Sequence, residues 1–295
     1  MKSLTDVPAP AKLNLFLHVV GRRQDGYHLL ESVFALIDWA DTLHFELRHD
    51  EHIARHDLGV RLPEDDLCLR AARLLRDAAS RRGQRVPGVD ISIDKCVPSG
   101  AGMGGGSSDA ATVLLALNRL WGLGWKRHEL QHLAMQLGAD VPFFVFGHNA
   151  WVSGIGEELR PVAFAQQSYA VIKPSASIPT AEIFSSPNLR RDSPSAIMEG
   201  SLDDAALAAL IADGGRNDLQ SVAESLFPEV AQASHSLQAR FGNSRMTGSG
   251  SAVFSRVGIA DSSAATWPQQ NELPGAWTAR LCQGLVQHPL LHWVD

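Results

Sequence analysis

The sequence is poor in cysteine, and its cysteines form no arrangement that predicts a disulfide framework or a zinc site. The chain has three cysteines in 295 residues, Cys68, Cys96 and Cys282, and none belongs to a CxxC pair. An odd number of widely spaced thiols argues against the disulfide scaffolds of small secreted domains. We therefore expect the protein to work in a reducing compartment, the cytoplasm.

Long apolar runs are also absent. The stretch VPFFVFG at 141–147 is among the longest, and it falls far short of the ~20 residues that cross a bilayer. The N-terminal MKSLTDVPAP lacks the apolar core of a signal peptide. The sequence therefore predicts neither a membrane span nor export.

An excess of positive charge is missing as well. The chain has 26 Lys and Arg against 32 Asp and Glu, a formal net charge of −6. Proteins that bind nucleic acid or anionic membranes usually display clustered Lys and Arg. We expect a small-molecule partner instead, and an anionic one would need locally placed cations. Nothing in the sequence chooses between a monomer and a homodimer.

The apolar residues that are present follow both strand and helix periods, which predicts an α+β fold. Leucines alternate along AKLNLFLHVVG at 11–21, so Lys12 and Asn14 share one face of a strand. The segments 31–38 and 41–48, separated by Trp39 and Ala40, predict an antiparallel hairpin. Further strands are predicted at 89–95, 150–154 and 169–173, and helices at 67–83, from Ser107 onward and at 126–137.

The most informative stretch is PSGAGMGGGSSDAA at 98–111, with five glycines in seven positions. It lies between a predicted strand and a predicted helix, with Ser107 or Ser108 placed to cap the helix and Asp109 in its first turn. Glycine lets backbone N–H groups approach a ligand closely, and a helix N-terminus adds unpaired donors and partial positive charge. This order of elements predicts a loop that cradles phosphate.

Several phosphate-binding classes can be weighed against this loop. Gly100, Gly102 and Gly105 satisfy the dinucleotide pattern GxGxxG, but the chain then runs into another helix rather than a second parallel strand with an acidic residue. The chain has no Gly-Lys-Ser/Thr of a P-loop and no HRD or DFG of a protein kinase. The sequence therefore indicates a phosphate cradle of another class.

The loop resembles the ATP-binding loop of the GHMP small-molecule kinases. Three other segments resemble the same superfamily in order: PAKLNLFLHVVGRRQDGYHLLESVF at 10–34, LGADVPFF at 137–144 and TGSGSAVF at 247–254. The resemblance implies a two-domain fold with the active site in the cleft. The ATP-binding domain would cover residues 1–155, and a ferredoxin-like, substrate-side domain would cover 156–295. ATP is implied at Pro98, Ser99, Gly100, Ala101, Gly102, Met103, Gly104, Gly105, Gly106, Ser107 and Ser108.

The resemblance also implies a reaction. The γ-phosphate of ATP would pass to the tertiary 2-hydroxyl of 4-diphosphocytidyl-2-C-methyl-D-erythritol, in the non-mevalonate isoprenoid precursor pathway. Asp140 is implied as the base and Lys12 as the group that stabilises the reacting hydroxyl. A lysine there stabilises the developing alkoxide and keeps the aspartate ionised to accept the proton. Taken alone, Lys12 suggests a solvent-facing strand lysine and Asp140 a turn or N-cap residue.

The substrate would be held by residues from three segments. Asn14 lies one pleat from Lys12 and could bind the same polyol, although its spacing alone favours a surface amide. Tyr27 and His28 resemble a cytosine-recognition pair, with an aromatic face and hydrogen-bonding groups. Phe184 corresponds to the opposite stacking ring, and Thr180 is implied near the substrate. Without the resemblance, Tyr27 and Phe184 would be interpreted as core aromatics.

Magnesium is implied with ATP, and no cluster of carboxylates in the sequence demands a metal held by protein groups alone. One hydroxyl at the end of the loop, Ser107, could suffice. Lys95 and Lys173 are interpreted as solvated strand-end lysines. The second glycine loop, at 245–254, is a β-turn by its own pattern, and the resemblance places it beside the active site. Asp66 stands where the family commonly has Asn.

Three hypotheses remain open at this stage. The first is the cytidyl-substrate kinase, and the second is a GHMP kinase that acts on another small alcohol such as homoserine or mevalonate. The third is a nucleotide-binding protein without catalysis, or a Rossmann-type oxidoreductase. The presence of both Lys12 and Asp140 favours a catalyst. The segment 186–216 indicates no function.

Overall fold

The fold is known from a computed structural model that describes residues 2–196, 204–258, 267–268 and 273–295. The strands are β1 (Ser3–Arg22), β2 (His28–Leu47), β3 (Ile53–Asp57), β4 (Val89–Asp94), β5 (Ala150–Ser153), β6 (Glu158–Pro161), β7 (Ser168–Lys173), β8 (Arg245–Met246), β9 (Val253–Val257) and β10 (Thr278–Gln283). The helices are α1 (Leu67–Arg81), α2 (Gly105–Leu120), α3 (Arg127–Ala134), α4 (Val141–Phe146), α5 (Thr180–Ser185), α6 (Asp204–Ala209), α7 (Gln220–Leu226) and α8 (Pro228–Phe241). A π-helical turn follows α6 at Leu210–Gly214, and a 3-10 turn lies at Leu291–Trp293. None of the described helices is long and apolar enough to cross a membrane.

Strands β1 to β6 form a six-stranded sheet in the order β3-β4-β2-β5-β6, with β1 paired to β2. All of its pairings are antiparallel except β3 with β4. A Rossmann unit needs a largely parallel sheet, so the oxidoreductase alternative is wrong.

The predicted hairpin at Trp39 and Ala40 is also wrong. Both residues lie inside β2, which runs for 20 residues without reversing. Ala40 pairs with Pro10 of β1, and Trp39 is only 3% exposed. The antiparallel pairing with the equally long β1, which shifts register at four places, stabilises an extended chain here. The hairpin turn lies instead between β1 and β2, at 23–27.

Helices α1 to α4 cover one side of this sheet around a shared core that includes Leu75 of α1, Leu114 of α2 and Ile91 of β4. Helix α1 starts where predicted, because Asp66 accepts a hydrogen bond from the Leu69 N–H at 3.1 Å. Asp66 also forms an ion pair with Arg55 at 2.9 Å. The residue that departs from the family pattern therefore caps a helix in this chain.

Helix α2 begins two residues before the predicted serine caps. Its N-cap is Gly104, with φ of 71° and no side-chain cap. Ser107 and Ser108 lie inside the first turns, so neither is the cap. The Ser108 hydroxyl instead donates to the Pro10 carbonyl at 2.7 Å, which ties the helix to β1. Asp109 lies beyond the first turn and is buried.

Strands β7 to β10 form a four-stranded antiparallel sheet in the order β10-β7-β9-β8. Numbered along the chain, this order is fourth, first, third, second, the arrangement of a ferredoxin-like sheet. Helix α8 packs on β7 and β9 of this sheet, and its Leu237 shares a buried cluster with Ile172 and Val253. A buried cluster containing Phe16 and Tyr169 joins the two sheets. The boundary at 155/156 stays a prediction.

The last residues of the chain return to the first sheet and its helices. The Leu285 N–H donates to the Leu36 carbonyl at 2.8 Å, and the His288 N–H donates to Gly147 at 2.8 Å. Arg127, at the start of α3, donates to the carbonyls of Leu291 and Val294. This tail therefore braces α3 and α4, whose connection carries Asp140.

Candidate active site

A cleft with a volume of about 790 Å³ is lined by residues from both sheets and their loops. It gathers ten of the residues singled out in the sequence: Lys12, Asn14, Tyr27, His28, Gly100, Gly102, Gly104, Asp140, Thr180 and Phe184. The second glycine loop reaches the same cleft through residues 248–250. The other predicted ATP-loop residues lie outside its walls: Pro98, Ser99, Ala101, Met103, Gly105, Gly106, Ser107 and Ser108.

Lys12 lies at the floor of the cleft and is only 3% exposed, so it is not a solvent-facing strand lysine. Its Nζ is 3.4 Å from Asp140 Oδ2 and donates to Asn14 Oδ1 at 2.5 Å. The same ammonium lies 4.6 Å from the centre of the Phe34 ring. Burial of a charge is costly unless it is paired and hydrogen-bonded. These contacts therefore hold the lysine charge in one place.

Asn14 is buried rather than a surface amide, with 1% exposure. Its side-chain NH₂ donates to the Ser32 hydroxyl at 3.0 Å, and Ser32 in turn donates to the Phe16 carbonyl. Its backbone N–H donates to the Thr247 hydroxyl at 2.9 Å. These bonds direct the amide oxygen of Asn14 toward Lys12. A residue of the second glycine loop thus contacts the predicted polyol-binding residue.

Asp140 lies between α3 and α4, at the N-cap position of α4, but its side chain makes no cap hydrogen bond. Pro142 stands in the first turn of α4, and Phe143 and Phe144 are buried below it. The helix is therefore held by its apolar residues and by proline at its start. The Asp140 carboxylate, 31% exposed, is left to face Lys12 and the cleft.

The glycine loop approaches protein groups as well as the cleft, which the sequence did not indicate. Gly102 has φ of 72°, and a Cβ there would lie 2.2 Å from the Thr247 carbonyl oxygen. The N–H groups of Ser251 and Ala252 donate to the carbonyls of Gly100 and Ala101, at 3.2 and 3.1 Å. The bare backbone lets the two glycine loops lie against each other at the mouth of the cleft.

Lys95 is not a solvated strand-end lysine, because its side chain is 8% exposed and bonds to two buried carboxylates, Asp41 and Asp109. The Asp109 contact is 2.5 Å, and Asp41 also accepts the N–H groups of Cys96 and Val97 at 2.6 and 2.7 Å. Burial raises the pKa of Asp109 to about 8; nearby Lys95 lowers that pKa and Asp41 raises it further. The cluster lies beneath the start of α2 and supports the glycine loop.

Lys173 is also buried, at 7% exposure, and is not solvated. Its Nζ donates to the carbonyls of Pro174 and Ala176 at 2.6 and 2.8 Å. Burial lowers the pKa of Lys173, and Glu229 partly opposes that shift. The lysine therefore fixes the turn that leads from β7 to Thr180.

The opposite end of the cleft is more open. Tyr27 is 61% exposed, because it lies in the turn between β1 and β2. Its interpretation as a core aromatic is therefore wrong. The His28 and Phe184 rings stack with centroids 4.9 Å apart and planes 29° apart. The Thr180 and Ser249 hydroxyls are 2.7 Å apart and join α5 to the second glycine loop.

Arg191 contacts two residues that line this end of the cleft, His28 and Phe184. It donates to His28 Nε2 at 3.1 Å from the segment 186–216, to which the sequence assigned no function. A single arginine in an irregular segment carries no motif, so no sequence signal could have found it.

Comparison with known proteins identifies the class. The family model for the GHMP kinases N terminal domain matches residues 66–148, and the model for the GHMP kinases C terminal matches residues 196–265. The chain thus has both halves of a GHMP kinase, as its glycine loop predicts.

Relatives that match along the whole chain narrow this class to one family. A 4-diphosphocytidyl-2-C-methyl-D-erythritol kinase of Methylibium petroleiphilum is 57% identical over 293 residues, which cover 99% of each chain. A crystal structure of 4-(cytidine 5'-diphospho)-2C-methyl-D-erythritol kinase matches with a TM-score of 0.74 and 34% identity, over 94% of this chain and 98% of that one. The chain belongs to the 4-diphosphocytidyl-2-C-methyl-D-erythritol kinase family. The Methanococcus jannaschii mevalonate kinase, 14% identical over 96% of this chain and 98% of its own, shares the fold with a TM-score of 0.68.

Proposed function

We propose that this chain transfers the γ-phosphate of ATP to the tertiary 2-hydroxyl of 4-diphosphocytidyl-2-C-methyl-D-erythritol, in the non-mevalonate isoprenoid precursor pathway. The observation that carries the proposal is the contact of 3.4 Å between Lys12 Nζ and Asp140 Oδ2, at the floor of the shared cleft. Full-length relatives with this activity in their names support the choice of substrate over mevalonate or homoserine.

The chemistry follows from the groups at the floor of the cleft. Asp140 accepts the proton of the 2-hydroxyl while the hydroxyl oxygen forms a bond to the γ-phosphorus and the bond to ADP breaks. Lys12 stabilises the negative charge that develops on the attacking oxygen. Because Asn14 holds the ammonium by a hydrogen bond of 2.5 Å, the charge is in position before the reaction begins. Such preorganised charge is the main contribution that proteins make to phosphoryl transfer.

The phosphates of ATP are assigned to the glycine loop and the N-terminus of α2. The helix has 16 residues, and its first N–H groups carry partial positive charge. The Lys95 cluster beneath the loop keeps the helix start from shifting. This assignment covers residues 98–108, including those outside the walls of the cleft.

Magnesium is assigned to the phosphates and one loop hydroxyl. Among the described residues, no group of three His, Cys, Asp or Glu side chains is arranged to hold a metal ion. Mg²⁺ commonly keeps several waters and binds through phosphate oxygens, and there it would neutralise charge on the transferring phosphate. Ser107 is partly buried, and its hydroxyl makes no hydrogen bond within the described part of the chain, so the hydroxyl is available.

The role of Ser107 can be tested by Ser107→Ala. We expect the Mg²⁺ concentration for half-maximal turnover to rise about three- to tenfold, because one oxygen ligand is lost. Titration of Mg²⁺ at saturating ATP measures this shift. Ser80→Ala, at an exposed serine near the end of α1 and outside the loop, is the control. An unchanged Mg²⁺ dependence in Ser107→Ala would remove the hydroxyl from the metal site.

The cytidine would occupy the open end of the cleft. Tyr27 and Phe184 would stack on the two faces of the cytosine, and His28 would meet its edge. Thr180 lies on the route between the two ends. We further infer a cytoplasmic enzyme with small-molecule partners, since the net charge of −6 disfavours nucleic acid and anionic membranes.

The decisive experiment supplies the purified chain with Mg-ATP and three acceptors: the cytidyl methylerythritol compound, mevalonate and homoserine. We expect ADP release with the first only, and a phosphate monoester on its 2-oxygen by ³¹P NMR. Turnover of mevalonate or homoserine without turnover of the cytidyl compound would overturn the proposal.

A further inference from the structure

The guanidinium of Arg191 makes four hydrogen bonds behind the open end of the cleft. Its Nη2 donates to the carbonyls of Phe184 and Ser186 at 2.9 and 2.8 Å, and Nη1 donates to Leu189 at 3.0 Å. Its Nε donates to His28 Nε2 at 3.1 Å. In the part of the chain that the structure describes, no carboxylate pairs with this arginine. The Arg191 side chain therefore links the segment that carries Phe184 to His28.

These contacts determine the state of His28. An arginine has only donors and keeps its charge at any physiological pH. His28 Nε2 must therefore accept, so it carries no proton. A neutral imidazole with an unprotonated Nε2 carries its proton on Nδ1. The second ring nitrogen is thus an obligate donor.

The Nδ1–H group is free to meet a ligand. His28 lines the cleft, and its ring stacks on Phe184, one of the two rings proposed to stack on the base. Within the described residues, no group hydrogen-bonds to Nδ1. On the Watson–Crick edge of cytosine, N3 and O2 are acceptors, whereas N3 of uracil carries a hydrogen and donates. O2 is an acceptor in both bases, so a fixed donor discriminates where it meets N3, and there it suits cytosine and opposes uracil.

We propose that Arg191 is a positioning residue that fixes His28 as a neutral donor through Nδ1 and so makes the site prefer a cytosine to a uracil base. The choice of a cytosine ligand rests on the proposed function. The protonation state of His28 does not depend on it. Protonation of His28 would place an N–H against the Arg191 N–H. In agreement, burial, then Arg191 and Arg22, lower the pKa of His28.

The state of His28 can be measured without any substrate. The protein is labelled with ¹⁵N-histidine, and the His28 signals are assigned by their loss in His28→Gln. At about pH 7.5, we expect the Nδ1–H tautomer in the unmodified chain, because only that tautomer can accept from Arg191. Arg191→Met should shift His28 toward the Nε2–H tautomer or the protonated form. Persistence of the Nδ1–H tautomer in Arg191→Met would overturn the proposal.

Two further variants separate this effect from a loss of structure. Arg190→Met is the matched control, because Arg190 is an exposed neighbour paired with Asp192. It should leave the His28 tautomer unchanged. Arg191→Lys keeps an obligate donor and should retain at least part of the Nδ1–H signal. Circular dichroism of each variant checks folding, and a shift equal in Arg190→Met and Arg191→Met would contradict a specific role for Arg191.

Base preference is measured with cytidine and uridine diphosphates as probes in calorimetry. We expect the CDP-to-UDP affinity ratio to fall about tenfold in Arg191→Met and to stay unchanged in Arg190→Met. With the full substrate, KM should rise while kcat changes less than about threefold. If the unmodified chain does not phosphorylate the cytidyl compound, the proposed function fails, while the tautomer measurement still decides the role of Arg191. An unchanged CDP-to-UDP ratio would overturn the proposed preference.

Discussion

The two ends of the cleft differ in how deeply their residues are buried. At the reaction end, Lys12, Asn14 and Ser32 are 3%, 1% and 2% exposed, and hydrogen bonds link them into one network. At the open end, where the base would bind and which we call the base end, Tyr27 is 61% exposed. Phosphoryl transfer depends on charges that are in place before the reaction, and a dry site strengthens them. A base must enter and leave, so its end of the cleft stays open.

The two ends also differ in what holds their charges. Lys12 faces one carboxylate in the cleft, and Lys95 holds two buried ones under the glycine loop. Arg191, by contrast, bonds to carbonyls and to one histidine nitrogen. We therefore expect the reaction end to be sensitive to substitutions that remove a charge. We expect the base end to be sensitive to substitutions that change the shape of the cleft or the direction of a hydrogen-bond donor.

The largest expected effect is at the reaction end, in Asp140→Asn. We expect kcat to fall about 10²- to 10⁴-fold, because an amide cannot accept the proton of the 2-hydroxyl. ATP affinity, measured by calorimetry, should stay within about threefold. Asp25→Asn, a carboxylate that lines the base end of the same cleft, is the matched control and should keep most of its turnover. Near-normal turnover in Asp140→Asn would remove Asp140 as the base.

Lys95→Met should show the second largest effect, and it should act on stability. Removing one partner of a buried ion pair costs about 3–5 kcal/mol, and here Asp41 and Asp109 would both lose their bond to the ammonium while staying buried. Denaturant unfolding measures this loss. Lys2→Met, at an exposed lysine, should change stability by less than about 0.5 kcal/mol. An equal change in both variants would show that the Lys95 cluster does not support the fold.

At the base end, Tyr27→Ala should act on binding alone. Stacking of a base on an aromatic ring contributes about 1–3 kcal/mol, so we expect KM for the cytidyl substrate to rise about 5- to 150-fold. Because the hydrogen bonds of Tyr27 go to its own turn and not to the network around Lys12, kcat should change less than about threefold. Steady-state kinetics separates the two constants. A fall in kcat as large as that in Asp140→Asn would contradict the division of the cleft into two ends.

The smallest expected effect is the pH dependence of base binding. The pKa of His28 is lowered from 6.5, so the ring stays mostly neutral at pH 6.5. CDP affinity should therefore change less than about twofold between about pH 7.5 and 6.5 and fall only at lower pH, as the ring gains a proton. Calorimetry at each pH checks this. A fall centred at or above pH 6.5 would mean that burial, Arg191 and Arg22 do not lower the pKa of His28.

The sequence predicted the residues of the reaction end better than it predicted the residues that bury them and hold them in place. The alternating pattern at 11–21 placed Lys12 and Asn14 on one strand face, and Asp140 followed a predicted helix, as the structure has them. The burial of Lys12 and Asn14 was missed, since strand periodicity does not reveal a second layer. That layer is the loop around Thr247, which is 233 positions from Asn14.

The sequence by itself predicted the glycine loop and the strand and helix on either side of it, and its resemblance to the GHMP kinases indicated the class of protein. These features depend on neighbouring residues, where turn chemistry and apolar periods act locally. Only the tertiary structure decided which charges meet. Asp41 bonds to Lys95 across 54 positions, and Arg191 reaches His28 across 163. Such pairs form because the packing of two sheets brings distant segments together and excludes water from between them, and no local spacing encodes that.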